Sequence, residues 1–185
     1  VVVPAAGTSV ETLAQGRGDV GFFALDPARA ATTAFTAAYV QIEGSYLVRN
    51  DSPLKGNDEV DRAGTRIAVG NKSAYDLFLS REIKHAKLER APTSPAVVDY
   101  FVANKLDVAA GVKQQLEADA KRIPGLRLLP GRFMVINQAM GMARGKEAGA
   151  KYLSAFVEEM KASGFVAEAL KRHRIEGAVV APPAG

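Results

Sequence analysis

One short pattern occurs twice in this chain and restricts its fold more than any other feature. The first copy is Thr8-Ser-Val-Glu-Thr-Leu-Ala-Gln-Gly-Arg-Gly-Asp19-Val20, and the second is Thr93-Ser-Pro-Ala-Val-Val-Asp-Tyr-Phe-Val-Ala-Asn-Lys-Leu-Asp107-Val108. Each opens on a helix-start signal. Thr8 and Glu11 have capping-box spacing, and Ser94 precedes Pro95 at a first helical position. Each copy then carries an apolar stripe, breaks at Gly or Asn, and enters an apolar strand directly after an Asp. A solenoid needs more copies at a fixed period. Two copies separated by enough chain for a whole lobe predict two related α/β lobes of roughly 90 residues each. Asp19 and Asp107, at the strand starts, read as turn residues.

The remaining elements follow from local pattern. Gly44–Lys55 alternates like a strand and ends in a polar turn containing Pro53. Arg66–Leu79 reads as strand, loop and helix, with Ser73 and Asp76 as another capping pair. Leu126–Pro130 contains a short strand, and Phe133–Ala143 is a further extended run. Leu153, Phe156, Val157 and Met160 recur at helical spacing until Gly164. Phe165–His173 is a last amphipathic helix, whose Lys171, Arg172 and His173 suit a helix C-terminus. The Pro-rich end, Ala181–Gly185, is expected to fray. Val1–Pro4 reads as a buried strand, so residues preceding Val1 are expected.

Composition removes several function classes. With 185 residues, 48% hydrophobic and 24% charged, the chain has the make-up of an ordinary globular protein. No run of about 18 apolar residues is present to span a membrane. No basic-then-apolar leader opens the chain, so a secretion signal is expected to be absent from it. The absence of Cys removes disulfides, thiol nucleophiles and Cys-type metal sites. The net charge of +4 does not point to nucleic acid, because basic and acidic residues are interspersed, as in Arg81–Arg90, and Trp is absent. His85 and His173 lack metal-ligand spacing, and no Ser sits in a Gly-x-Ser-x-Gly elbow. Neither metal, cofactor nor catalytic residue is expected.

Two stretches suit an anion. In the first, Asp19–Arg29, an apolar strand ends at Asp26-Pro27, a good N-cap followed by a residue pre-set for the first helical turn. Arg29 then falls in the first turn of a short helix, where a guanidinium and the helix dipole together favour a carboxylate. The plainer alternative is a surface Arg paired with Asp26. Phe22 is included among the candidate ligand contacts, although a strand puts Phe22 and Phe23 on opposite faces and core packing can account for both. The second stretch, Gly70-Asn71-Lys72-Ser73, lies between a strand end and a helix start, where open α/β sheets bind small ligands. Asn71, Ser73, Ala74 and Tyr75 would form a small cradle of amides with the Ser73 hydroxyl, unless Ser73 serves only as an N-cap. P-loop spacing is absent.

With both stretches in place, the chain resembles the periplasmic solute-binding proteins of the polar amino acid ABC-transporter family over nearly its whole length. The resemblance rests on Leu13–Val20, on Arg29 with Phe35-Thr36 and Tyr39, on Asp61–Val69 with Ser73–Tyr75, and on Gly141–Gly145 with the Phe156–Gly164 helix. It implies a type 2 periplasmic-binding fold: two α/β lobes joined by two hinge crossings, with an N-terminal strand and helix missing. Lobe 1 would hold residues 1–41 plus 132–185, and lobe 2 residues 42–131. Arg29 would clamp a ligand carboxylate and the Ser73 loop would add hydrogen bonds, closing the interlobe cleft. The sequence departs from the family in three places. Val112 stands near a position that usually holds an ammonium-binding acid, Ala5-Ala6 near an aromatic platform, and the Asp19–Arg29 stretch is short of its usual serines. The ligand would therefore lack an α-amine, or the amine would be held by Asp26 or Glu43. The implied function is the periplasmic substrate-binding component of an ABC importer. It would be monomeric and non-enzymatic, with a membrane permease and a small carboxylate as partners. The alternatives are a cyclohexadienyl dehydratase on the same fold, with Glu43 as its general acid, and a ligand-sensing module.

Overall fold

A computed structural model describes Val3 and residues 5–185. The expected strand at Val1–Pro4 falls mainly outside these residues. The elements in chain order are α1 (Ala6–Ala14), β1 (Gly21–Ala24), α2 (Pro27–Ala30), β2 (Thr33–Arg49), β3 (Arg66–Gly70), α3 (Ala74–Glu82), β4 (Lys87–Ala91), α4 (Val97–Ala103), β5 (Val108–Val112), α5 (Lys113–Arg122), β6 (Leu126–Leu128), β7 (Met134–Ala143), α6 (Glu147–Ala162), α7 (Phe165–Arg172) and β8 (Val179–Val180). They divide into two compact units, one of residues 1–42 and 136–185 and the other of residues 43–135. The chain passes from one unit to the other twice, within β2 and within β7.

In the first unit β1 pairs antiparallel with β7, Phe22 opposite Met140. β8 pairs antiparallel with β2, Val40 opposite Val180. Gly141 is needed where the sheet is crowded, because a Cβ there would stand 2.6 Å from the Thr33 methyl. In the second unit the strands run β4, β3, β5 and β2 across the sheet. β3 is parallel to β4 and to β5, whereas β5 and β6 are antiparallel to β2. Each parallel step needs a crossover, supplied by α3 and then α4. The small residues of Arg-Ile-Ala-Val-Gly and Val-Ala-Ala-Gly-Val let these helices approach the sheet closely. Ala68, Ala109, Val98, Phe101, Leu106 and Leu116 make a core at almost zero exposure.

Three local expectations are revised. The Thr8–Glu11 capping box does not form: α1 begins at Ala6, and the Thr8 and Ser9 hydroxyls both donate back to the Ala5 carbonyl, at 2.9 and 3.0 Å. Hydroxyls inside a helix are close enough to bond the preceding turn, which competes with capping. Ser94–Ala96 form a 3₁₀ turn whose cap is Thr93, and the α-helix starts only at Val97. Finally, Ala181 does not fray. Its amide donates to the Tyr39 carbonyl at 3.0 Å, and Lys161 Nζ donates to the Pro182 carbonyl at 2.8 Å.

Candidate functional site

The second unit presents a small concavity where β3 and β5 lie side by side and end. Their C-termini lead into α3 and α5. The chain leaves β3 toward β4 but leaves β5 on the other side, which makes the junction a switch point of the kind that holds ligands in open α/β sheets. A cavity of about 330 Å³ opens there, lined by Tyr75, Ser94, Pro95, Val97, Val98, Gly111, Val112, Gln114, Gln115 and Leu116. Among the described residues, no charged side chain contributes to its wall. The Tyr75 hydroxyl lies among Ser94, Ser73 and the Gly70 backbone, and burial pushes its pKa up against those hydrogen bonds. It therefore stays a neutral phenol and keeps its proton for donation.

The loop below this pocket is built as the sequence suggests, but most of its amides are taken. Ser73 caps α3, its hydroxyl accepting from the Asp76 amide at 3.1 Å. Its own amide donates to the Gly70 carbonyl, and the Asn71 amide donates to the Ala91 carbonyl. Lys72 takes a positive φ of 56°, and its amide donates to Asp76 Oδ2 at 2.8 Å. Ala74 and Tyr75, the first residues of α3, make no backbone N–H bond among the described residues, as expected at a helix start. The predicted cradle thus reduces to these two amides, and Asn71 stands exposed beside it. Asp76 is almost fully buried and also accepts from Arg90 Nε at 3.0 Å and from Ser80 at 3.2 Å.

In the first unit Asp26 caps α2 as expected, accepting from the Ala28 amide at 2.8 Å. Arg29 is only 6% exposed, and its Nη1 donates to the Ala24 carbonyl at 3.0 Å. Burial lowers its pKa and the neighbouring Asp26 charge raises it. The expected dipole contribution is corrected. α2 has four residues, a single turn, so any anion affinity at this point rests on the guanidinium alone. Arg144 holds the turn from outside by donating to the Ala30 carbonyl at 2.6 and 2.9 Å.

Phe22 and Glu43 are the other two candidates. Phe22 is 65% exposed and meets Tyr39 edge-on at 6.1 Å, at the rim of an apolar groove of about 600 Å³ between the sheet and helices α6 and α7. The groove carries few polar groups to orient a ligand, with His173 and Tyr39 on its wall. Phe23, by contrast, is core, as strand alternation requires. Glu43 accepts from Arg132 Nη1 at 2.8 Å and from Lys113 Nζ at 3.2 Å. Hydrogen bonds from Arg132 and then Lys113 hold its carboxyl below the ordinary range. A general acid needs the opposite shift.

No family model and no curated protein sequence matches the chain, but solved structures do. A solute receptor for L-cysteine from Neisseria gonorrhoeae superposes with a TM-score of 0.79 at 19% identity, covering 93% of this chain and 70% of that one. A cysteine-binding protein from Campylobacter jejuni gives 0.77 at 16% identity, covering 93% and 69%. A histidine kinase sensor domain with similarity to periplasmic binding proteins gives 0.80 at 18% identity, covering 96% and 78%. The fold is the type 2 periplasmic-binding fold. Sequence reasoning reached Tyr75 but missed the rest of the wall that it completes. Ser94 was legible only as a helix start, Val112 only through the family resemblance, and Gln114 and Leu116 carried no signal beyond helix pattern. What could have flagged them is the element order: each lies at or just after a βα step, and the βα steps of parallel strands share one sheet end.

Proposed function

We propose that this protein is the periplasmic substrate-binding component of an ABC importer and that it captures a small carboxylate for a membrane permease. One observation supports this most: the pocket at the carboxyl ends of β3 and β5, uncharged, with Tyr75 and Ser94 hydroxyls above the open amides of α3. Such a wall can orient a small anion by hydrogen bonds without doing chemistry on it. The type 2 fold and its cysteine-binding relatives are consistent with that use. Arg29 is assigned to the ligand carboxylate as a planar two-pronged donor. The dehydratase alternative draws no support from Glu43, which is held as a carboxylate between two cations.

The test is a calorimetric screen of amino acids and organic acids against the purified chain, followed by Arg29→Ala and Ser94→Ala. A ligand should emerge, and Arg29→Ala should weaken it by tenfold or more. If every compound fails at millimolar concentration, the binding-protein reading is wrong. If a ligand binds and Arg29→Ala leaves its affinity unchanged, only the clamp role falls.

A further inference from the structure

We infer that two copies of this chain associate through the outer edge of β1, pairing antiparallel about Phe22 and closing the apolar groove of the first unit. This departs from the monomer that the family resemblance implies, and it does not depend on which ligand is bound. Among the described residues β7 lies on one side of β1 and no strand lies on the other. The Leu25 amide donates to the Asn137 carbonyl, the next pair in the β1–β7 register, at 2.8 Å. Phe23 and Gly21 therefore face β7 as well, and Phe22 turns its N–H and C=O outward. Met140, opposite Phe22, turns away in the same manner, and its amide donates to Thr36 Oγ1 at 3.1 Å. Among the described residues nothing bonds to the two backbone groups of Phe22. Ala24 also faces outward, and its carbonyl is closed off by Arg29 Nη1 at 3.0 Å.

Proteins ordinarily blunt such an edge with charge or Pro. β4, the edge strand of the second unit, is Lys-Leu-Glu-Arg-Ala and follows that rule. β1 is Gly-Phe-Phe-Ala and does not. Val20, Phe22 and Leu25 are exposed along it, as are Phe156, Phe165 and Ile175 of the adjoining groove. Together they present on the order of 500 Å² of apolar surface, at roughly 150–250 Å² for each whole aromatic side chain. A stable interface takes about 800 Å² from each partner, a little over half of it apolar, so this patch suffices for a dimer. Geometry selects a second copy as the occupant. A two-fold axis at Phe22 sets its N–H against the C=O of the partner's Phe22, and the reverse, with Val20 opposite Ala24. Each chain satisfies in the other the groups it leaves open itself. The rim raises no barrier of like charge, since α7 offers Glu168 beside Lys171 and Arg172. One pairing uses up the uncharged edge, and association stops at two.

The test is sedimentation velocity with amide exchange on the 185-residue chain between about 1 and 200 μM. The mass should rise from one chain to two across that range and go no further. Exchange of the Phe22 amide should slow tenfold or more as the pair forms, while the Phe23 amide, facing β7, changes little. Phe22→Lys charges the edge and should weaken association tenfold or more, whereas Phe22→Leu, still apolar, should hold it within about threefold. Phe165→Ser should weaken it at least threefold. Urea midpoints establish that each variant is folded. A folded chain that stays monomeric throughout overturns the inference, as does growth beyond two chains. A pair that folded Phe22→Lys or Phe165→Ser leaves intact overturns it too. A Phe22 amide already protected at the lowest concentration means that the chain's own residues cover the edge, which also overturns it.

Discussion

The α-carbon of Ser94 lies 3.0 Å from the point where a β-carbon on Gly70 would stand, and the Tyr75 hydroxyl lies 2.7 Å from it. The turn after β4 therefore closes over the end of β3 only because residue 70 has no side chain. Tyr75 can swing away from an added methyl, but the Ser94 backbone cannot do so cheaply. Gly70→Ala should destabilise the protein by about 1–3 kcal/mol, the range for overpacking, and displace Tyr75 from the pocket wall. Urea unfolding at constant m-value checks the first effect, and tyrosine fluorescence or an NMR shift of Tyr75 checks the second.

Lys72 is strained and Asp76 compensates. A non-glycine residue at φ 56° costs about 1–2 kcal/mol, and the amide bond to Asp76 holds it there. Lys72→Gly should stabilise by about 0.5–1 kcal/mol, the remainder being lost to the greater freedom of Gly in the unfolded chain. Asp76→Ala should cost about 1–3 kcal/mol, because it leaves the Lys72 amide and the Ser80 hydroxyl without this acceptor. Thermal melts of the two variants should therefore shift in opposite directions.

Glu43 sets an acid-side dependence. Its carboxyl is held below the ordinary value of 4.5, first by Arg132 and then by Lys113. A depressed folded pKa contributes stability that is present above the unfolded value and lost as pH falls through the folded one. Glu43→Gln should therefore cost up to about 1 kcal/mol at neutral pH. The gap between wild type and variant should close as pH drops below 4.5. Urea midpoints measured between neutral pH and the acid limb test this, and a constant gap would contradict it.

Lys161 anchors the C-terminal segment. Its side chain is 5% exposed, pairs with Glu158 at 2.6 Å, and donates to the carbonyls of Ala38 and Pro182 at 3.1 and 2.8 Å. Lys161→Met should keep much of the packing and remove these bonds. Exchange of the Ala181 amide, which donates to Tyr39, should accelerate by tenfold or more, while amides of the second unit stay unchanged.

The groove of the first unit should bind apolar dyes. Phe22 and Phe165 are 65% and 60% exposed at its margin, more apolar surface than a covered core leaves. Anilinonaphthalene sulfonate should fluoresce on the native chain, and Phe165→Ser should reduce the signal at least twofold without lowering the unfolding midpoint by more than about 0.5 kcal/mol equivalent.

Elements whose cause lies within one turn were legible in the sequence. Asp26-Pro27 and Ser73 cap their helices as residue type and spacing require, and Gly164 adopts φ 79° between α6 and α7. The strand–loop–helix step over Arg66–Leu79 was equally plain, since alternation and helical spacing need no partner to be read. Where two local signals competed, as at Thr8 and Glu11, the sequence favoured one and the backbone chose the other.

The amino-acid sequence by itself determined a two-unit α/β chain and the caps of α2 and α3. Only the tertiary structure decided that Ser94 stands over Gly70, that Glu43 is spent on Arg132, that Asp76 pairs with Arg90, and that the last residues are tied down. These contacts join residues far apart in the chain: Glu43 and Arg132 are separated by 89 positions, and Tyr39 and Ala181 by more. Their existence depends on which strands pair and in what register, and a one-residue slip would turn each side chain to the other face. Helix caps depend on three or four neighbours along the chain; pocket walls depend on the packing of elements that the chain brings together only once it is folded.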